Sequence, residues 1–139
     1  MSLRSLVENG LAGYLEETIT DVPVYRGFSA QVKAAPCVIV SAVSAREEPY
    51  QSGNFELTTD VTIVSPMADG ADAMDAIADR VRDALLVDDL DDSIQGTSQS
   101  LKVWGAGLEL ETEWRVDEDQ LVTVHHLKLY CAEIGVAAQ

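Results

Sequence analysis

Two adjacent histidines, His125 and His126, hold the most chemical potential in this chain, set in an apolar run from Leu121 to Ile134. An imidazole titrates near neutral pH and serves as a general base or a metal ligand. The run reads as a strand, where neighbours point to opposite faces, so the pair cannot hold one ion between them. One ring is expected on the core side and the other outside, both in structural roles. Asp88-Asp89-Leu90-Asp91-Asp92 gathers carboxylates as a calcium loop does. It lacks the alternate-position oxygens, the central glycine and the terminal glutamate of an EF-hand, and reads as a solvated helix end. Glu109, Glu111 and Glu113 project from one face of an expected strand. Paired carboxylates do acid–base work, but three like charges in an open row mark a wet sheet face or a surface awaiting a basic partner.

The nucleophile and cofactor patterns are missing. No serine sits in a Gly-x-Ser-x-Gly elbow, no Lys-Ser/Thr follows Gly105-Ala106-Gly107, and no dinucleotide fingerprint occurs. Cys37 and Cys131 lie in apolar runs without a Cys-x-x-Cys or Cys/His cluster, and read as buried free thiols. No catalytic residue, metal site or cofactor is therefore assigned, and binding to other proteins is the expected work. The best candidate is Arg46-Glu47-Glu48-Pro49-Tyr50-Gln51-Ser52-Gly53-Asn54, a polar hairpin tip that reads either as an ordinary solvated turn or as a contact with Tyr50 as an aromatic anchor. Of the two tryptophans, Trp104 is assigned to neither core nor interface, and Trp114 is expected in the core.

The charge balance narrows the partners. Nine Lys and Arg against 24 Asp and Glu give a formal net charge of -15. Such a surface repels phosphates, which excludes tight nucleic-acid binding. It keeps the protein soluble, and it would also suit a passage through which DNA slides without sticking. A hydrophobic fraction of 47% in 139 residues is that of one globular domain. No apolar run approaches the length of a membrane span, and Met1 to Glu8 lacks the features of a signal peptide. A cytoplasm, or a particle assembled there, is the expected location, with no membrane partner.

The elements that position these residues follow from periodicity. Val7, Leu11, Tyr14, Leu15 and Thr18 recur at helical spacing, predicting a helix from Leu3 to Ile19 capped by Ser2. Gly10 and Gly13 weaken it by about 1 kcal/mol each, unless they admit a close neighbour. Val22 to Tyr25 is a short strand and 28 to 35 a loop. Pro36 to Ser44 reads as a central strand buried on both faces. Phe55 to Val64 alternates, with Phe55, Leu57, Thr59, Val61 and Ile63 facing one way. Met74, Ile77, Ala78, Val81 and Leu85 predict a second helix ending near Leu86. Three more β-like stretches follow, Leu101 to Trp104, Leu108 to Val116 and Leu121 to Ile134, the last two as an antiparallel hairpin. The expected fold is a single α+β domain over residues 1–139, a mostly antiparallel mixed sheet of four to six strands flanked by two main helices.

This order resembles the tail terminator and tail completion proteins of long-tailed bacteriophages and related phage-like particles. The likeness is carried by the first amphipathic helix, Ala35-Pro36-Cys37-Val38-Ile39-Val40, the polar tip, and Phe55-Glu56-Leu57-Thr58-Thr59-Asp60-Val61-Thr62-Ile63-Val64. The helix with Met74, Ile77, Val81 and Leu85 and the final strands complete it. The resemblance implies a virion protein at the tail end, made in the host cytoplasm. It would form a ring, six-fold in that family, that caps the tail tube, stops its polymerisation and joins tail to head. Its partners would be further copies of itself, the tail tube protein and a head–tail connector, with DNA passing through unbound. Arg46, Glu47, Glu48 and Tyr50 at the tip, with Glu56, Thr58, Asp60 and Thr62 on the polar side of the next strand, are then the expected assembly contacts. A connector or neck adaptor of the same particle is the alternative, ahead of a small carboxylate/histidine enzyme or a cytosolic regulatory domain.

Overall fold

The computed structural model describes residues 2–27, 33–47, 49–96 and 98–134. The chain runs through helix α1 (Leu3–Thr18), strand β1 (Val24–Arg26), β2 (Cys37–Glu47), β3 (Phe55–Pro66), helices α2 (Ala71–Leu85) and α3 (Leu90–Gln95), then β4 (Leu101–Asp117) and β5 (Gln120–Glu133). The five strands form one sheet in the order β1-β2-β3-β5-β4. β1 runs parallel to β2, and every other pairing is antiparallel. This is the mixed, mostly antiparallel α+β sheet expected from the sequence. Residues 28–32 of the expected loop lie outside the described residues.

The helices cover one face of the sheet. Val7, Leu11 and Leu15 of α1 and Met74, Ile77, Ala78, Val81 and Leu85 of α2 are buried against Val38 and Val40 of β2, Val61 and Ile63 of β3, and Leu127 and Leu129 of β5. Each large aliphatic side chain so buried contributes about 1.5–3 kcal/mol relative to exposure. Ser2 caps α1, its hydroxyl accepting the Ser5 N–H at 3.2 Å. Asp72 in the first turn of α2 and Arg82 in its last both complement the helix dipole.

Four local readings are corrected by the structure. The acidic stretch after α2 is not only a solvated end: it carries α3, whose Leu90 and Ile94 are buried against α1. The helix is too short to show a period in sequence. α1 meets it at Gly10, where a Cβ would stand 2.2 Å from the Ile94 carbonyl oxygen, so only glycine fits. The two stretches 101–104 and 108–116 are one strand, continued through Gly105-Ala106-Gly107 and interrupted by register shifts. At Gly105 the missing side chain makes room for the Tyr130 ring, which a Cβ would meet at 3.0 Å. β2 is buried only in its first half, because the second half projects beyond the helices as one arm of the hairpin to β3. Trp114 is 74% exposed rather than in the core, since β4 extends past the edge of α2.

β2 also carries a bulge between Ala42 and Ser44. The buried Glu8 of α1 reaches it, one carboxylate oxygen accepting the Ala42 N–H at 2.9 Å. An irregular strand leaves a donor that the ladder does not use, and a buried donor without a partner is costly. Glu8 thus ties the first helix to the sheet at its one irregular point on β2.

Candidate partner-binding surfaces

The hairpin tip is a built turn. Glu47 ends β2 and turns its carboxylate back over the loop, accepting the Gln51 N–H at 3.1 Å and the Gly53 N–H at 2.8 Å. Ser52 N–H donates to the Pro49 carbonyl at 3.0 Å. Gln51 and Gly53 take positive φ values of 59° and 79°, which lets the chain reverse within a few residues. With its backbone so held, the loop presents Tyr50 outward, 84% exposed. Of the expected contacts, Arg46 and Tyr50 lie on this projection, Glu47 organises it from within, and Glu48 lies outside the described residues.

Glu56, Thr58, Asp60 and Thr62 do share a face, the one opposite the helices, as the alternation of β3 requires. Their charges are spent within the chain. Asp60 sits directly across from His126 on β5, its Oδ1 2.6 Å from Nδ1. On the other side of the ring, Nε2 lies 2.8 Å from a Glu113 oxygen on β4. Both ring nitrogens must donate to satisfy both carboxylates, so the clamp selects the imidazolium. Burial by itself would lower the His126 pKa, but the hydrogen bonds and charges of Asp60 and Glu113 outweigh it and raise the pKa above its usual value. Two residues along β5, Lys128 bridges Glu56 at 3.1 Å and Glu109 at 3.4 Å, which holds its ammonium above its usual range. The row of like charges read from Glu109, Glu111 and Glu113 is therefore partly neutralised across strands. Next to this ladder, Cys37, Val64, Val122 and Val124 form a second apolar cluster with Tyr25, Ala35 and Ile39.

His125 faces the helices, as strand parity demands. Its Nε2 lies 3.2 Å from the Ala78 carbonyl, which can only accept, so Nε2 carries the proton. Nδ1 then accepts from the Thr112 hydroxyl at 3.3 Å. Burial lowers its pKa, in keeping with a neutral ring. No group of three His, Cys, Asp or Glu side chains among the described residues is placed to hold a metal ion. Both cysteines are free and buried, and burial pushes the Cys131 thiol up to about 11.

A feature with no counterpart in the sequence reading is the groove between α2 and the second half of β4. Leu110, Thr112, Trp114 and Val116, alternate residues of β4, form one wall. Met74, Asp75, Asp79 and Arg82 on one side of α2 form the other, above a floor of Thr123 and His125. The alternation of β4 was legible, but not that a helix would stop one strand short of it.

No protein-family profile and no curated protein matches the sequence. Solved structures do share the fold. A chain in the virion of a native gene transfer agent particle superposes with a TM-score of 0.60 at 17% identity, over 94% of this chain and 95% of that one. A second solved chain, of no stated function, matches with a TM-score of 0.52 at 16% identity, over 94% of this chain and 92% of its own.

Proposed function

We propose that this protein is a structural subunit of a phage-like virion, a tail terminator whose ring caps the tail tube, ends its polymerisation and presents the joining surface for the head. The observation that carries the reading is the end-to-end fold likeness to a chain of a gene transfer agent virion, with almost nothing left over in either chain. The surfaces support it. A ring requires heterologous contacts, one face of a subunit against a different face of the next. β1 and β4 offer two different sheet edges. The helix-free face offers Thr58, Thr62 and Tyr130 around charges already paired, so covering it strands few carboxylates. The tip holds Tyr50 ready for a tube subunit at little ordering cost. The net charge of -15 suits a lumen that passes DNA without holding it.

Solution mass and negative-stain imaging, at high concentration with and without the tail tube protein, test the reading. Rings of about six subunits, or caps on tube ends, are expected. A monomer that ignores the tube refutes the terminator role, and copurification with portal rather than tube moves the protein to the neck as a connector. Tyr50→Ala should remove tube binding without changing the melting temperature. Charge reversal at Glu47 and Glu48 should do the same, partly by releasing the turn that Glu47 holds. Unchanged assembly in both would remove the tip from the contact surface.

A further inference from the structure

The helix layer over this sheet is incomplete. α1 and α3 cover the first half of β4, and α2 lies over β3 and β5. Beyond them the second half of β4 projects with its helix-side residues bare: Leu110 is 97% exposed, Trp114 74% and Val116 63%. These three face the groove beside α2, whose two stretches measure 240 and 500 Å³ and share Asp75, Trp114 and Thr123. Scattered surface hydrophobes are ordinary, but an aligned apolar row along a groove marks a place where something docks. The Thr123 hydroxyl, buried in the floor, has no hydrogen-bond partner among the described residues. The charged groups that line it are three carboxylates, Asp75, Asp79 and Glu111, and two guanidinium groups, Arg82 and Arg115, in a chain of net charge -15.

We propose that this groove receives an amphipathic helix of a partner protein, with an apolar stripe against Leu110, Trp114 and Val116 and Lys or Arg on its flanks facing Asp75, Asp79 and Glu111. Such a helix would complete the layer that α2 leaves one strand short. From Leu110 to Val116 the wall spans about 20 Å at strand rise, the length of a helix of three to four turns. A helix suits the surface better than an added strand. The bare residues point toward the helix layer rather than out of the sheet edge, and the shift in register between Leu108 and Thr112 breaks up the edge that a strand would need. The charge pattern favours a basic partner over a second copy of this acidic chain. The site lies apart from the tip and the helix-free face, and the inference stands whether or not the chain forms a ring.

The test uses the full chain carrying Trp104→Phe, which leaves Trp114 as the single tryptophan. The probe is a synthetic 16-residue peptide with Leu at helical i, i+3, i+4 and i+7 spacing and Lys elsewhere. Controls are the same composition scrambled to break the stripe, and a version with Glu in place of Lys. Saturable blue shift of Trp114 emission with a gain in peptide helicity is expected. Binding should weaken at least tenfold for the scrambled and acidic peptides, and at least tenfold for Leu110→Glu, a change at an exposed position that leaves the core untouched. Equal binding of the scrambled peptide, indifference to Leu110→Glu, or a peptide bound as a strand would overturn the proposal. So would a Trp114 emission that shifts with protein concentration alone, since a second copy would then own the groove.

Discussion

Replacing His126 by Gln should destabilise the protein at slightly acidic pH and much less in alkali. In the folded chain the ring stands between Asp60 and Glu113, at 2.6 and 2.8 Å, with roughly a quarter of its side chain exposed. A hydrogen bond to a charged group contributes about 1.5–3 kcal/mol when well shielded, and partial exposure cuts each of these to about 1 kcal/mol. Gln can keep one neutral bond but cannot offset two carboxylates that then face each other across roughly 7 Å, a repulsion of about 0.6–2.4 kcal/mol between the water-like and surface limits. A loss near 2 kcal/mol at pH 6 is expected. The sign follows from the raised folded pKa of His126. Its contribution is complete below the unfolded value of about 6.5 and disappears as pH rises through the folded value. His125 works in the opposite direction, because its depressed pKa gives stability above about 6.5 that is lost as pH falls through the folded value. His125 is present in both proteins, so the difference between them isolates the clamp. Urea unfolding of wild type and His126→Gln from pH 5.5 to 9 reads the effect. The midpoints should differ by about 1 M at pH 6, for a slope of about 2 kcal/mol/M, and converge toward pH 9. A gap that stays constant across this range would refute the ionic clamp and leave only packing.

Three further outcomes follow from local geometry. Gly10→Ala should cost more than about 2 kcal/mol because its Cβ meets the Ile94 carbonyl, whereas Gly13→Ala, with nothing within 4 Å, should stabilise α1 by about 0.5–1 kcal/mol; thermal melts compare the two. Glu47→Ala should speed hydrogen exchange at the Gln51 and Gly53 amides at least tenfold while global stability moves by less than about 1 kcal/mol, the mark of a local rather than structural acceptor. Cys37 and Cys131, both buried with raised thiol pKa values, should resist a thiol reagent in the native protein and react together on unfolding; rapid labelling of either one would show a local opening.

Most of the framework was legible because it rests on short-range periodicity. The 3.6-residue stripes of α1 and α2 and the alternation of Phe55 to Ile63 need no knowledge of what they pack against, and the structure buries them on one side of the sheet. The exceptions are Tyr14 and Phe55, which are half-buried, and Thr18, at the last turn of α1, which is exposed with its hydroxyl on the Tyr14 carbonyl. The opposite facing of His125 and His126 followed from strand parity alone. α3 escaped because six residues hold too few turns to show a period, and the unbroken β4 escaped because its glycines look like a turn until Tyr130 is seen beside Gly105.

The candidate surfaces divide along the same line. That Arg46 and Tyr50 lie on a projecting tip, and that Glu56, Thr58, Asp60 and Thr62 face away from the helices, are properties of local pattern. Partnership is another matter. Asp60 and Glu113 lie 66 and 13 residues from His126, Glu8 lies 34 residues from Ala42, and the groove forms only where α2 lies beside an overhanging β4. Side-chain direction is set by the repeat of the local backbone, so it can be read along the chain. Contact across strands and helices depends on register and on where each element stops, and these are chosen by the packing of the whole core.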